Sequence, residues 1–276
     1  MTRVAVTGSE GFIGAQVARS LRAVPGVDML RVCRPGGTPR GATPSTIVTS
    51  DVLRPTEHPP PWLRDVEVLI HLAWDGLSDF RSTRHPEQVA SHTDFLASAL
   101  DAGVRRIVGV GTCLEYGMQE GELDETMTPR PTVAYARAKH ALHEALIELV
   151  EKAGARLVWG RVFYPFGPGQ HERSLWTSLQ RAIDRGDATF PMSPGLQTRD
   201  YLPVADVGRI IADLALGDAT GTYNVCSGRP VVLRDLVATW IEDRASSIRI
   251  DPGVYGYPDY EPMAFWGSRA RLDAAL

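Results

Sequence analysis

Along the first 160 or so positions, short unbroken apolar runs alternate with stretches in which apolar residues recur every third or fourth position. RVAVT (3–7), MLRVC (29–33), TIVTSD (46–51), VEVLIHLAW (66–74), RRIVGVGT (105–112) and ARLVWGRV (155–162) read as strands. FIGAQVARSLRAV (12–24), HPEQVASHTDFLASALDAGV (85–104) and residues 135–152 carry the helical period. A Gly/Pro/Thr-rich loop separates the second strand from the third. Strands alternating with helices predict an α/β fold built on a doubly wound parallel sheet of the Rossmann type. Strands that are apolar almost throughout predict burial on both faces.

The texture changes after residue 163. YPFGPGQ (164–170) and PMSPG (191–195) are rich in proline and glycine, and shorter periodic segments follow at 174–186, 201–216, 221–227 and 232–244. This predicts a first lobe over 1–162 and a smaller second lobe over 163–276 that closes on the carboxyl edge of the sheet. Some of the later elements are expected to return to the first lobe. The aromatic tail YGYPDYEPMAFWG (255–267) reads as a folded loop.

Composition narrows the function class. The formal net charge is −4 over 276 residues, without the basic stripe of a nucleic-acid binder. No apolar run is long enough for a membrane span, and no leader pattern precedes the first strand. Three widely spaced cysteines, Cys33, Cys113 and Cys226, form no metal or disulfide framework and suit a reducing cytoplasm.

The first chemical signal is TGSEGFIG (7–14), which places a glycine loop between a strand and a helix. Gly8, Gly11 and Gly14 allow a tight turn, approach of a pyrophosphate and close helix–strand packing. Ser9, Phe12 and Ile13 complete the loop, and the helix amino end offers free N–H groups to phosphate. The residue about 20 positions on selects the dinucleotide. Here it is Arg34, which suits the 2′-phosphate of NADP(H) rather than the free ribose of NAD(H). The alternative is a solvated loop arginine. Asp51 and Val52, after the third strand, are placed for the adenine edge, although Asp51 also fits a helix cap. Leu72, Ala73 and Trp74 end the fourth strand at the same edge.

The second signal is YARAK (135–139). Tyr135 and Lys139 share one helix face, a turn apart. A lysine charge about 5 Å away, at an effective dielectric near 20, would lower a phenol by about two pKa units, toward the range useful for proton transfer. The third is Thr112 at the end of the fifth strand, where ligands of such sheets bind; its hydroxyl can hold a substrate oxygen beside the phenol.

Taken together, TGSEGFIG (7–14), HLAW (71–74), GTCLEYG (111–117), YARAK (135–139), RVFYPFGPG (161–169), QTRDYLPVADV (197–207) and YNVCSG (223–228) resemble the extended short-chain dehydrogenase/reductase family of nucleotide-sugar epimerases, dehydratases and reductases. The resemblance implies that Tyr135 is the general acid/base, that Lys139 lowers its pKa and binds the nicotinamide ribose, and that Thr112 holds the substrate oxygen. It implies that Arg199 grips a sugar-nucleotide diphosphate and that Phe190 and Met192 line the base pocket. Asp259 or Glu261 would accept ribose hydroxyls, unless the tail is simply packed with its carboxylates in solvent. Two departures matter. The acid–base pair of the 4,6-dehydratases is replaced by Cys113 and Leu114, which argues against dehydration. The usual asparagine of the R-x-x-N segment is replaced by Tyr164, beside the substrate site.

HLAWDGL (71–77), GTCLEYGM (111–118), MSPGLQTRDYLPV (192–204), CSGRP (226–230) and YPDYEPMAFWG (257–267) are most similar to the subgroup that reduces 4-keto-6-deoxy sugar nucleotides. The expectation is therefore NADPH-dependent reduction of a dTDP- or CDP-linked 4-keto-6-deoxyhexose. The rivals are an NAD-dependent nucleotide-sugar 4-epimerase and a non-catalytic cofactor-binding regulator. As in the family, a homodimer would form through the helices at 85–104 and 135–152; the alternative is that their apolar faces pack only on the sheet.

Overall fold

The structure is a computed structural model that describes residues 1–36, 46–54 and 59–276. Most of the Gly/Pro/Thr-rich loop read before the third strand lies outside the described residues. Seven strands form the main sheet: β1 (Thr2–Thr7), β2 (Val27–Cys33), β3 (Thr46–Thr49), β4 (Val68–His71), β5 (Arg106–Thr112), β6 (Arg156–Val162) and β7 (Gly221–Val225). Their spatial order is 3-2-1-4-5-6-7, and every pairing is parallel. This is the doubly wound Rossmann arrangement, in which the chain winds outward in both directions from β1 and β4.

Register brings the strand ends level. Thr7 sits opposite His71, His71 opposite Gly109, and Thr112 opposite Val162. The segments that leave β1, β4, β5 and β6 therefore meet over one edge of the sheet. The helices α1 (Phe12–Arg22), α2 (Val89–Asp101), α3 (Ala134–Ala153), α4 (Leu175–Arg185), α5 (Val204–Leu216) and α6 (Leu233–Asp243) complete the architecture. Val17 and Leu21 of α1 join Val207, Ile210 and Ile211 of α5 on one face of the sheet. Phe95 and Leu96 of α2 join Leu142 and Leu146 of α3 on the other. Both faces are covered, which is why the strands carry so few polar residues. β7 and α5 thus belong to the large layer although they follow residue 163.

The remaining C-terminal elements form a cap. Thr198–Pro203 pairs with Tyr164–Phe166 and Pro230–Val232, and Thr189–Met192 pairs with Arg249–Pro252. α4 and α6 pack on these small sheets around Leu179, Phe190, Met192 and Trp240. Within the tail, Phe265–Gly267 pairs with Gly121–Leu123 and ties the tail to the loop after β5. The three cysteines are free and buried. Among the described residues no helix is long and apolar enough to cross a membrane.

Candidate active site

A cavity of about 1040 Å³ opens over the carboxyl ends of β1, β4 and β5 and under the cap. At its floor lies the glycine loop. Gly8 has φ +67°, and a Cβ there would stand 2.8 Å from the Ala73 nitrogen. A Cβ on Gly14 would stand 2.1 Å from the Gly8 carbonyl oxygen. Only glycine permits this turn and this packing, and the loop leads straight into α1, whose amino end faces the cavity. The residues fit a dinucleotide pyrophosphate.

Gly8, Gly11, Phe12, Ile13 and Gly14 all line the cavity; Ser9 does not. Its hydroxyl is buried against the Glu10 carboxylate at 3.3 Å and the Cys33 sulfur at 3.6 Å. The neighbouring Glu10, which sequence reasoning passed over, lines the cavity and pairs with the buried Arg31. Arg34 and Asp51 line the cavity together with Val52 and Arg54. Arg34 pairs with Asp75 at 2.5 Å, both largely exposed. Asp51 accepts the Leu53 amide at 3.1 Å, so it also fixes its own turn.

Leu72, Ala73 and Trp74 form the wall after β4. The Trp74 ring stacks on His92 at 4.5 Å and its N–H reaches His85 Nδ1 at 3.0 Å. The Lys139 ammonium lies 3.9 Å from the centre of the Trp74 ring. His92 is in turn linked through His71 to the Thr7 hydroxyl, at 2.8 and 2.9 Å. Burial holds the His92 imidazole down to about 3, so it stays neutral beside the lysine.

Thr112, Tyr135 and Lys139 converge on the cavity from β5 and α3. The Thr112 hydroxyl accepts the Leu114 amide at 3.3 Å, which leaves its own proton to donate. The Tyr135 ring stacks on Phe80 at 5.1 Å. One expectation needs correction. The phenol is raised above its ordinary value, by burial first and then by Glu115 and Cys113. The lysine does not bring it down, because burial lowers Lys139 itself to about 7. The pair shares one low-dielectric wall, and both groups favour their neutral forms there.

The substrate side departs further from expectation. Tyr164 lines the cavity, stacked on Tyr201 at 5.2 Å. Glu261 lines it too, while Arg199 does not. Arg199 is 2% exposed, and its guanidinium is filled. It donates to Glu261 at 3.0 and 3.3 Å and to the Thr198 and Met263 carbonyls at 2.9 and 3.1 Å, and it lies over Phe265. Asp200 turns away from it to accept from the Ser227 hydroxyl and amide and the Gly228 amide. Phe190 and Met192 do not reach the cavity; strand pairing turns both into the cap core. Asp259 lies at the surface, paired with Arg81. In place of these residues, Arg173, Trp176 and Tyr260 line the outer cavity. No motif marks Arg173 or Trp176, which the start of α4 brings to the cavity, whereas Tyr260 belongs to the tail stretch YPDYEPMAFWG.

Cys113 and Leu114 border the cavity but are almost fully buried and pack with the apolar residues behind it. The Cys113 thiol is pushed well up by burial. The next carboxylate, Glu115, points away from the cavity into the layer between β5, β6 and α3.

Comparison with known proteins agrees with this construction. Residues 4–226 match the sequence model of the NAD dependent epimerase/dehydratase family. The chain is 26% identical over 269 residues to dTDP-6-deoxy-L-talose 4-dehydrogenase (NAD(+)) of Aggregatibacter actinomycetemcomitans, covering 96% of this chain and 99% of that one. It is 28% identical over 292 residues to GDP-6-deoxy-D-mannose reductase of Pseudomonas aeruginosa, covering 98% and 89%. UDP-glucuronic acid 4-epimerase from Bacillus cereus, solved with NAD, shares the fold with a TM-score of 0.81 at 17% identity, covering 100% and 92%. With the glycine loop, the level strand ends and a match over most of its length, the chain belongs to the NAD-dependent epimerase/dehydratase family.

Proposed function

We propose that the protein reduces the 4-keto group of a dTDP- or CDP-linked 4-keto-6-deoxyhexose, with NADPH as reductant. The observation that carries the reading is the meeting of Thr112, Tyr135 and Lys139 on one cavity wall, beside positions where the dehydratase acid and base are replaced by a buried thiol and a leucine. When bound, the nicotinamide supplies hydride to carbon 4. Tyr135 donates its phenolic proton to the carbonyl oxygen as that oxygen gains charge. Thr112 donates a second hydrogen bond to the same oxygen. A phenol held in its protonated form suits donation, and such acid catalysis is worth about a hundred- to ten-thousand-fold. Lys139, held against Trp74, would bind the ribose hydroxyls of the cofactor. The two relatives named for 6-deoxy sugar dehydrogenation and reduction support this substrate class.

The choice of NADPH rests on Arg34 and Arg54, two cations that line the cavity. The choice of reduction over 4-epimerisation rests on that cofactor preference, since the same three residues would serve an epimerase. A homodimer through α2 and α3 in the cytoplasm belongs to the same reading. Ile147, 47% exposed on α3, supports it; Leu142 and Leu146 are already used on the sheet.

The test is loss of nicotinamide absorbance with NADPH or NADH and dTDP-4-keto-6-deoxyglucose, extended to CDP-, GDP- and UDP-linked keto sugars. Stoichiometric NADPH loss with formation of a reduced sugar nucleotide is expected. Interconversion of a non-keto sugar nucleotide without net cofactor use would replace the reading with the epimerase.

A further inference from the structure

The loop after β5 buries a full carboxylate directly behind the proposed catalytic wall, and nothing in the chemistry above uses it. Glu115 is 0% exposed. Its Oε1 accepts the Thr112 amide at 2.9 Å and the Trp159 indole N–H at 3.2 Å. Its Oε2 accepts the same indole at 3.2 Å and the Arg161 Nε at 3.1 Å. Space for it is built in. A Cβ on Gly111 would stand 2.0 Å from Oε1, and one on Gly109 would stand 2.6 Å from the Trp159 ring. The alternating glycines of VGVGT thus carve the slot that the indole and the carboxylate fill.

A fully buried acid costs several kcal/mol of desolvation unless it is paired, and a well-packed apolar pair would often serve stability as well. The retained charge therefore points to a role beyond packing. We propose that Glu115 is a positioning residue: its carboxylate fixes the Thr112 peptide and sets a buried negative charge behind the wall that carries Tyr135 and Lys139. The inference rests on the proposed role of those three residues.

Other titratable groups surround the Tyr135–Lys139 couple, and across the cavity from the cap and tail stand Tyr164, Tyr260 and Glu261, with Asp75 beyond β4. From β6 comes Arg161, tied to Glu115 and lying over the Tyr116 ring. From α3 come His140 and His143, the latter stacked on Trp159 and held neutral, down to about 3, by burial. From the opposite wall come His71 and His92, both lowered by burial, and His85. Cys113 adjoins from the same loop. Among these, Glu115 is the group that raises both Tyr135 and Lys139. His140 and His143 lie within 4.8 Å of its carboxylate, but the Arg161 guanidinium already occupies the cation's place there, so the cluster carries no metal proposal.

The test is the pH dependence, from about pH 6 to 10, of two readouts: keto-sugar turnover and NADPH binding by fluorescence. In Glu115→Gln the amide oxygen still accepts the Thr112 amide, but the charge is gone. Both alkaline limbs should move down by about one pH unit, the size expected of one nearby charge at an effective dielectric near 20. Glu115→Asp keeps the charge but withdraws it from Thr112. Its limbs should stay in place while kcat falls at least tenfold with KM little changed. If Glu115→Gln does not fold with Arg161 left unpaired, the double variant E115Q/R161Q removes both buried charges; loss of the adjacent cation offsets part of the effect, so a downward shift smaller than in Glu115→Gln is expected. Limbs that superimpose on wild type in a folded variant would overturn the inference. Absence of turnover by the wild type would instead overturn the proposed reaction; the NADPH-binding limb would still decide the role of Glu115.

Discussion

Arg199 offers the sharpest test of the geometry, because the family resemblance and the structure assign it different work. The perturbation is Glu261→Gln. The Arg199 guanidinium is buried and, among the described residues, its ion-pair partner is Glu261, with two backbone carbonyls taking its Nη1 protons. Breaking one partner of a buried ion pair costs about 3–5 kcal/mol. Three things reduce that here. The glutamine oxygen still accepts a hydrogen bond, the two carbonyls remain, and the Phe265 face lies 4.5 Å from the guanidinium carbon. About 2–3 kcal/mol of destabilisation is left. For a chain of this size, at about 2–4 °C per kcal/mol, Tm should fall by roughly 4–12 °C. Thermal unfolding of the cofactor-free protein, followed by circular dichroism, measures it. A Tm within about 1 °C of wild type would refute the reasoning, since it would mean that the Arg199 guanidinium does not depend on Glu261 and is satisfied by other groups or by solvent.

Other predictions follow from the same wall. Tyr135→Phe should reduce turnover at least a hundredfold while NADPH binding stays within about threefold, as titration fluorescence will show. Gly14→Ala drives a Cβ into the Gly8 carbonyl, so cofactor affinity should drop at least tenfold by the same titration, with smaller loss of fold stability. Lys139 is lowered to about 7 in the fold against about 10.4 in an unfolded chain. The folded state therefore binds fewer protons between those values, and stability rises with pH across that window. Below about pH 7 the cost of burying the ammonium is present in full, so Lys139→Met should raise Tm by several degrees at pH 6, with the gain shrinking toward pH 10.

The sheet was legible because its strands are apolar throughout and its helices keep their period; the strand boundaries moved by up to three residues. The helix read over 85–104 is a short turn, Arg84–Glu87, followed after Gln88 by α2. The glycine loop and the Tyr135–Lys139 pair are local signals, and adjacent elements keep local signals intact. What failed was non-local. Nothing near QTRD announces that Arg199 will be met by a carboxylate 62 positions away. The alternation TFPM carries no sign of which face the cap will bury, and Phe190 and Met192 went inward. Glu115 did leave a trace: a lone acid inside the buried run GTCLEYG, preceded by two glycines at alternate strand positions and followed far downstream by Arg161. Desolvation likewise reversed the expected shift of the phenol, because an i, i+4 spacing says nothing about how deeply both groups are sunk.

The most direct measurement of the central claim is a single-turnover reaction with nicotinamide-deuterated NADPH and dTDP-4-keto-6-deoxyglucose, read by NMR of the sugar. The account predicts one deuterium at carbon 4, an equal amount of oxidised cofactor released, and no transfer in Tyr135→Phe. Deuterium at another carbon, or interconversion of 4-hydroxy sugars without label uptake, would contradict it.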